Sequence, residues 1–194
     1  MFPALFDGDG VRINLFYTAY SAGAYSYVYS NDMNGDGLSK DLMYIPNDVN
    51  ELKWASVEDM NAFKVFMDND PYLSTHKGQY AEAYAGRSPW RHLLDARIAK
   101  TFKKIYGRTT HCFELSVNAG NVLNMINSSW GLYKYSCFNS FEEVSPLSID
   151  HFDDNTPVFT MNKVNGEYPT EAFTETYKNT NQCWSLMLGL KYSF

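Results

Sequence analysis

The residues best suited to bind a metal ion lie in the stretch NDMNGDGLSKD, residues 31–41. Asp32, Asn34 and Asp36 stand at alternate positions and Gly37 follows, which matches positions 1, 3, 5 and 6 of a calcium-binding loop. Alternate carboxylate and amide oxygens can converge on one cation there because a glycine permits the sharp turn. The spacing therefore makes calcium a candidate cofactor of this loop.

The end of the stretch fits a calcium loop less well. Position 12 holds Met43, where such a loop places a bidentate glutamate, and Asp41 at position 10 could replace it only if the loop closed differently. Asn, Asp and Gly also favour a plain surface turn that binds no metal. Both interpretations stay open, with Asp32, Asn34, Asp36 and Asp41 as the candidate ligands.

Catalytic motifs are absent from the sequence. There is no GxSxG, no P-loop and no HExxH, and the four histidines are scattered along the chain. The acidic pairs Glu142-Glu143 and Asp153-Asp154 are typical of solvated loops. The sequence therefore predicts that the protein is not an enzyme.

Charge and cysteine content argue against further classes of site. The net charge is −6 and there is no basic run, which argues against nucleic acid as a partner. Cys112, Cys137 and Cys183 are far apart and match no zinc-site spacing. Their odd number excludes a complete disulfide framework, although one bridge stays open.

Several segments alternate between apolar and polar residues, as strands with two unlike faces do. The last of them, WSLMLGLKYSF, is apolar at every second residue from Trp184 to Phe194. The sequence predicts about six antiparallel strands, four clear and two weak, and therefore an all-β fold. The clear strands are expected at 11–20, 92–103, 109–120 and 183–194, and the weak ones at 130–137 and 157–163.

The segments between these strands predict loops and one short helix. We expect irregular structure at 22–55, 121–131, 138–156 and 164–181. Residues 56–70 predict a helix that Ser56 and Asp59 begin as a capping box. Met60, Phe63, Phe66 and Met67 then share its apolar face. We see no internal domain boundary and predict one structural unit.

The second and third clear strands predict a hairpin. A two-residue turn at Tyr106-Gly107 would place Ile98 opposite Leu115, so that both apolar faces coincide. The same register would pair Ala96 with Val117 and Leu94 with Ala119.

The apolar faces could meet either a protein core or lipid. A soluble antiparallel sandwich also has alternating strands, but these strands exceed the usual length of about 5–6 residues. Short turns at one end alternate with long loops at the other, as in outer-membrane barrels. Lys100 on the apolar face lies near a strand end, where it can reach the membrane surface. We therefore expect these faces to meet lipid.

Longer stretches of the sequence resemble one family of membrane proteins. They resemble the C-terminal strands of TonB-dependent outer-membrane receptors of the Bacteroidetes type, in particular the subgroup with an N-terminal carboxypeptidase-regulatory-like domain. The similar segments occur in the family's order. They are SAGAYSYVYSNDMNGDGLSKDLMYIPND (21–48), GRSPWRHLLDARIAKTF (86–102), ELSVNAGNVLNMINSSWG (114–131) and WSLMLGLKYSF (184–194).

The resemblance implies that residues 1–194 are the C-terminal part of a barrel of about 22 strands, without the plug domain and the TonB-contacting segment. Such receptors lie in the outer membrane of Gram-negative bacteria and import large nutrients with energy relayed by TonB. The expected partners are outer-membrane lipid, the rest of the barrel and plug, the TonB complex and a surface substrate-binding lipoprotein. Terminal aromatics such as Phe194 resemble the signal read by the barrel-insertion machinery.

Other readings stay open alongside this one. The first 14 residues have no basic start and no apolar run, so we expect a cytosolic chain or one whose export signal lies upstream. The alternatives to a receptor segment are a soluble extracytoplasmic β-module that binds a ligand and a small self-sufficient outer-membrane barrel. Five loop aromatics could stack on a sugar or simply pack the loop: Tyr25, Tyr27, Tyr29, Tyr44 and Trp54.

Overall fold

The computed structural model describes residues 10–138, 140, 142–174 and 182–194. The chain is predominantly β, with 49% strand against 14% helix, as the alternation predicted. The strands are β1 Val11–Ser21, β2 Ala24–Tyr29, β3 Tyr44–Ile45, β4 Lys53–Trp54, β5 Gln79–Tyr80, β6 Gly86–Arg87, β7 Trp90–Tyr106, β8 Thr109–Gly120, β9 Tyr135–Ser136, β10 Glu143–Asp153, β11 Thr156–Met161, β12 Phe173–Thr174 and β13 Ser185–Ser193.

Two α-helices and two 3-10 turns complete the secondary structure of the described ranges. The helices are α1 Val57–Asn69 and α2 Val122–Ile126, and the 3-10 turns are Val49–Glu51 and Leu73–Thr75. In these ranges no helix is long and apolar enough to cross a membrane. Two stretches of the sequence lie outside the described residues. They are 1–9, before the first predicted strand, and 175–181, within the loop predicted at 164–181.

The Cα positions divide the chain into two compact units, where the sequence predicted one. We call them the strand unit, from 1–20, 90–133 and 177–194, and the loop unit, from 21–89 and 134–176. The loop unit is built from the two long connections between clear strands. The chain passes between the two units several times, so no single change of composition along the sequence marks a domain boundary.

The strand unit is a four-stranded sheet in the order β1-β7-β8-β13. β8 is antiparallel to both β7 and β13. β1 is antiparallel to β7, since Thr101 N donates to Gly10 O near one end and Arg91 Nη1 donates to Tyr20 Oη near the other. All four clear strands are thereby confirmed. No sheet of the described residues closes on itself, so the barrel stays a prediction.

The hairpin register differs from the predicted one by two residues. Ile98 pairs with Val117 rather than Leu115, and Ala96 with Ala119 rather than Val117. The turn is Gly107-Arg108, since Tyr106 pairs with Thr109. Gly107 has φ +61, and a type II′ hairpin turn needs a positive φ at this first central residue. A shift of two leaves every side chain on its predicted face.

The loop unit contains a mixed five-stranded sheet in the order β4-β11-β10-β2-β6. β10 and β11 are antiparallel, while β2 runs parallel to β10 and β4 parallel to β11. The loops predicted at 22–55 and 138–156 are therefore wrong where β2 and β10 lie. β2 is buried almost throughout and shows no alternation, and β10 contains a buried Pro146 and a register shift after Ile149.

Helix α1 forms as predicted. Ser56 Oγ accepts a hydrogen bond from Asp59 N, and the chain leaves the helix at Asp70, before Pro71. Phe63, Phe66 and Met67 are fully buried in the core of the loop unit. This core gives the loop unit the apolar burial that an independent fold needs.

The two weak strand predictions have different outcomes. The strand expected at 157–163 is confirmed as β11, but the one at 130–137 shrinks to β9, which pairs only with β12. The irregular segment at 121–131 contains the short helix α2. Asn121 begins it from a left-handed conformation, φ +51, which asparagine tolerates better than most residues.

Candidate functional site

One face of the strand unit is a continuous field of exposed apolar side chains, which we call the apolar face. The register aligns these residues in rows across β7, β8 and β13, one of which is Ile98, Val117 and Leu188. Leu188 is 78% exposed and Ile98 is 51% exposed. The other rows are Ala96-Ala119-Leu186, Lys100-Leu115-Leu190 and Phe102-Phe113-Tyr192.

Strand β1 extends the same two faces. The Tyr17 hydroxyl lies 2.7 Å from His92 Nδ1, so the odd-numbered residues of β1 share the apolar face. Ile13 and Leu15 are among them and are both more than 60% exposed. An exposed apolar field of this extent is unusual on a soluble monomer and indicates a surface that another apolar phase covers.

The opposite face, the polar face, carries ionic contacts across three strands. Arg97 Nη2 donates to Glu114 Oε1 at 2.9 Å, and Arg12 Nη1 lies 4.0 Å from Glu114 Oε2. Thr101 Oγ1 also donates to Glu114, at 3.5 Å. Glu114 therefore accepts from two side chains of β7 and lies near a third on β1. A sheet with one apolar and one charged face separates two solvents.

Aromatic side chains mark both ends of the strand unit. Trp90 and Trp184 are exposed where β7 and β13 begin, and Tyr106 and Tyr192 are exposed where these strands end. Aromatic rings with one polar edge favour a membrane–water boundary.

The two ends of the sheet differ in their connections. Among the described residues, one end of the sheet, the turn end, has the Gly107-Arg108 turn between β7 and β8 as its connection. β1 and β8 run in the same direction, so the long connections after them, 22–89 and 121–184, both start from the other end, the loop end. This alternation of short and long connections is the one that the sequence predicted.

No protein-family model, curated protein or solved structure matches the chain. The functional proposal for this chain therefore rests on the geometry of the two units.

The loop aromatics proposed as a sugar platform are mainly core residues. Tyr25, Tyr27 and Tyr29 are 5%, 1% and 1% exposed, and Trp54 packs against Phe63 with the rings tilted and their centroids 5.5 Å apart. Burial raises the pKa of Tyr25 and that of Tyr29 to about 12. Of the two readings left open for these rings, packing of the loop is the one that the three buried tyrosines follow.

A buried carboxylate anchors the centre of the loop unit. The Tyr27 hydroxyl donates to Asp70 Oδ2, and the backbone N–H groups of Tyr72 and Leu73 donate to Asp70 Oδ1 at 2.9 Å. Burial, followed by the charge of Asp70, strongly raises the pKa of Tyr27. The Tyr25 hydroxyl lies 3.2 Å from that of Tyr27 and continues the chain of hydrogen bonds. Both carboxylate oxygens of Asp70 thus accept hydrogen bonds from within the loop unit.

A cleft in the loop unit has a volume of about 620 Å³. Its walls come from three separate segments, 69–76, 85–89 and 171–173, together with Tyr25 and Lys134. Tyr72 and His76 stack with centroids 4.1 Å apart, and His76 Nδ1 lies 2.9 Å from Tyr72 O. Sequence reasoning missed this cleft because no single segment contains its residues.

The rim of this cleft mixes charges of both signs. Arg87 is exposed and donates to Tyr84 O, while Lys134 Nζ lies 3.9 Å from Glu171 Oε2. Gly86 lies against the Tyr25 ring, where a Cβ atom would come within 2.4 Å of ring carbon Cε2. The cleft can hold a small polar ligand, but its charges select no single class.

The calcium candidates form a closed hydrogen-bonded loop. Asp32 Oδ1 and Oδ2 accept from Gly35 N and Gly37 N at 2.7 and 2.8 Å. Asp41 Oδ1 accepts from Asn34 Nδ2 and Asp41 Oδ2 from Met33 N, at 2.8 and 2.7 Å. The bond from Gly37 N is the main reason that the pKa of Asp32 is lowered. The same oxygens that would bind a cation therefore bind the loop's own donors.

Other predicted sites are not assembled in the described part of the chain. No group of three His, Cys, Asp or Glu side chains there is arranged to hold a metal ion. Cys112, Cys137 and Cys183 form no disulfide within the described residues, and burial raises the pKa of Cys137. The prediction that the protein is not an enzyme stays a prediction.

Proposed function

We propose that the chain is the C-terminal strand and loop segment of a TonB-dependent receptor barrel that imports a large nutrient across the outer membrane. The observation that carries the proposal is the alignment of the apolar face across four strands that have a charged face behind them. Lipid would cover the apolar face, and the polar face would line the barrel interior. The remaining strands and the plug would come from outside these residues.

The lengths of the strands support a membrane-spanning role. β1, β8 and β13 have 11, 12 and 9 residues, and β7 has 17. A tilted strand crosses the hydrocarbon in about 9–11 residues. The aromatic residues at both ends of the sheet fit the two girdles of such a barrel.

The loop unit fits the outer side of the receptor. Extracellular loops of outer-membrane barrels are long and periplasmic turns are short. The loop unit would then face the medium and contact the nutrient or a surface lipoprotein, while the turn at Gly107-Arg108 would face the periplasm.

Cysteine labelling of intact cells tests this orientation. In a background with Cys112, Cys137 and Cys183 replaced by serine, we would compare Asp36→Cys in the loop unit with Arg108→Cys at the turn. Both positions are exposed. A membrane-impermeant maleimide should label Asp36→Cys in intact cells and Arg108→Cys only after lysis. The reverse pattern, or recovery of the protein in the soluble fraction, would contradict the proposal.

Import itself requires a growth assay. A strain lacking the gene should lose growth on one class of glycan, peptide or metal chelate as sole nutrient, and a strain lacking TonB should show the same defect. Growth equal to that of the parent on every nutrient tested would reject a role in import.

A soluble ligand-binding module is the second candidate. The buried core of the loop unit and its cleft of about 620 Å³ favour it, because both occur in soluble binding domains. The two candidates differ in the strand unit, whose apolar face a soluble module would have to cover with protein. The cell fractionation described above separates them.

A further inference from the structure

A cluster of basic and aromatic side chains lies at the turn end of the strand unit. We call it the turn-end cluster, and its members touch in sequence across three strands. Lys104 Nζ lies 5.1 Å from the centroid of the Tyr106 ring, which is 5.6 Å from the His111 ring. His111 Nδ1 is 2.6 Å from the Tyr192 hydroxyl, and the Tyr192 ring is 5.7 Å from that of Phe194.

The turn-end cluster continues the apolar face. Lys104 pairs with His111, and it follows Ile98, Lys100 and Phe102 at steps of two along β7. Lys104 is exposed, and Tyr106 and Tyr192 are 60% and 57% exposed. A lysine on a face that meets hydrocarbon is costly unless its ammonium group reaches the membrane surface.

Positive charge is concentrated at this end. The hairpin from 98 to 117 contains four lysine or arginine residues and a single acid, Glu114, which points to the polar face, whereas the chain carries a net charge of −6. At the loop end, the described strand residues of the apolar face include the Tyr17-His92 pair and no lysine or arginine. On the apolar face, positive side chains that could attract an anion therefore lie at the turn end and not at the loop end.

We propose that the turn-end cluster binds the phosphate of an anionic phospholipid headgroup while the acyl chains of that lipid lie along the apolar face. This inference rests on the proposed function, since it requires the apolar face to meet lipid. Lys104 supplies positive charge, and the Tyr106 hydroxyl can donate a hydrogen bond. When Tyr192 donates to His111 Nδ1, neutral His111 carries its proton on Nε2 and can donate it to the phosphate as well.

Electron spin resonance of lipids labelled on the acyl chain tests the proposal. The full chain would be reconstituted into phosphatidylcholine vesicles that contain spin-labelled phosphatidylglycerol or spin-labelled phosphatidylcholine. The motionally restricted fraction of each label gives the relative affinity of the protein surface for the two lipids. Lys104→Gln would be compared with Lys103→Gln, a matched control because the neighbouring side chain pairs with Cys112 and points to the polar face.

We expect the wild-type chain and the Lys103→Gln variant to prefer phosphatidylglycerol equally. Lys104→Gln should lower this preference about fivefold, the effect of one basic residue near an anionic membrane surface. An equal loss in both variants would show attraction by overall charge and overturn the assignment. Calorimetric binding of inorganic phosphate by the chain in phosphatidylcholine vesicles, without any preference for phosphatidylglycerol, would show a site for free phosphate rather than lipid.

The same measurement separates failure of this inference from failure of the proposed function. A restricted fraction without preference for phosphatidylglycerol would reject the headgroup site and leave the lipid-facing sheet intact. No restricted fraction for either lipid would reject both.

Discussion

The strand unit exposes its large apolar side chains, whereas the loop unit buries them. Leu188 and Phe194 in the strand unit are 78% and 85% exposed, whereas Phe63 and Phe66 in the loop unit are fully buried. The loop unit gains its stability by burying these rings away from water, as soluble domains do. The described residues of the strand unit form no such core, so its apolar face needs an apolar phase from outside. One chain thus combines segments suited to two solvents.

Truncation of a core ring should show the largest effect. Phe63→Ala should lower the free energy of unfolding of the loop unit by about 3–5 kcal/mol, because it leaves a cavity between α1 and the sheet. Trp54, which packs against Phe63, can report unfolding in urea once the other three tryptophans are replaced by phenylalanine.

The matched control for Phe63→Ala lies on the same helix. Val65 is 47% exposed, so Val65→Ala should cost less than about 0.5 kcal/mol. Equal costs for the two variants would mean that the loop unit has no specific core, and the contrast between the units would fail.

A charge on the apolar face should show the next largest effect. Leu188→Arg should destabilise the bilayer-inserted chain by about 2–4 kcal/mol, the cost of arginine near the middle of the membrane. Met187→Arg is the control, since Met187 is 67% exposed on the polar face and pairs with Asn118. Folding yield in vesicles and resistance to protease measure the difference. Similar yields for the two variants would contradict a lipid-facing Leu188.

Acid should weaken the loop unit through Asp59. Burial alone would raise the pKa of this carboxyl, but hydrogen bonds from Ser56, Met161 N, Tyr168 and Thr160 outweigh burial and lower it. A folded-state pKa below the unfolded value of about 3.9 stabilises the fold above that pH, and this contribution is lost as the pH falls through the folded-state pKa.

Replacing Asp59 tests this pH dependence. Asp59→Asn should flatten the decline of the free energy of unfolding below about pH 4, at a cost near neutral pH of about 1–3 kcal/mol. Glu58→Gln, at an exposed neighbouring position of α1, should leave both quantities unchanged. An unaltered acid limb in Asp59→Asn would remove this carboxylate from the account.

The smallest effect concerns calcium. Because the oxygens of Asp32 and Asp41 already accept bonds from the loop itself, we expect no binding heat from this loop. Calorimetric titration should give equal heats for the wild-type chain and for a variant with Asp32→Ala and Asp36→Ala. A larger heat from the wild type would restore the calcium site.

The two units also differ in how far the sequence predicted them. Strict alternation identified the four strands of the strand unit, because each has two unlike environments. The same rule failed for β2, whose residues from Tyr25 to Tyr29 are all buried, and for β10, whose register shifts after Ile149. Helix α1 was predicted because Ser56 and Asp59 form a local signal.

Local contacts in the strand unit were also easier to predict than the cleft of the loop unit. The hairpin itself was predicted because its two strands are adjacent in the sequence and their apolar faces match. Its register was wrong by two residues because glycine fits either position of a two-residue turn, and only the pairing of Tyr106 with Thr109 shows that Gly107 is the first. The cleft could not be predicted, since Tyr72, Arg87 and Phe173 meet only through the folded loop unit.

The most direct test of the central claim measures what surrounds Leu188. Single cysteines at Leu188 and Met187, in the serine background for the native cysteines, would carry an environment-sensitive fluorophore in reconstituted vesicles. We expect lipids with a spin label on the acyl chain to quench the fluorophore at 188 and aqueous iodide to quench the one at 187, because the two side chains lie on opposite faces of β13. Equal quenching of both positions by iodide, with none by lipid, would contradict the account.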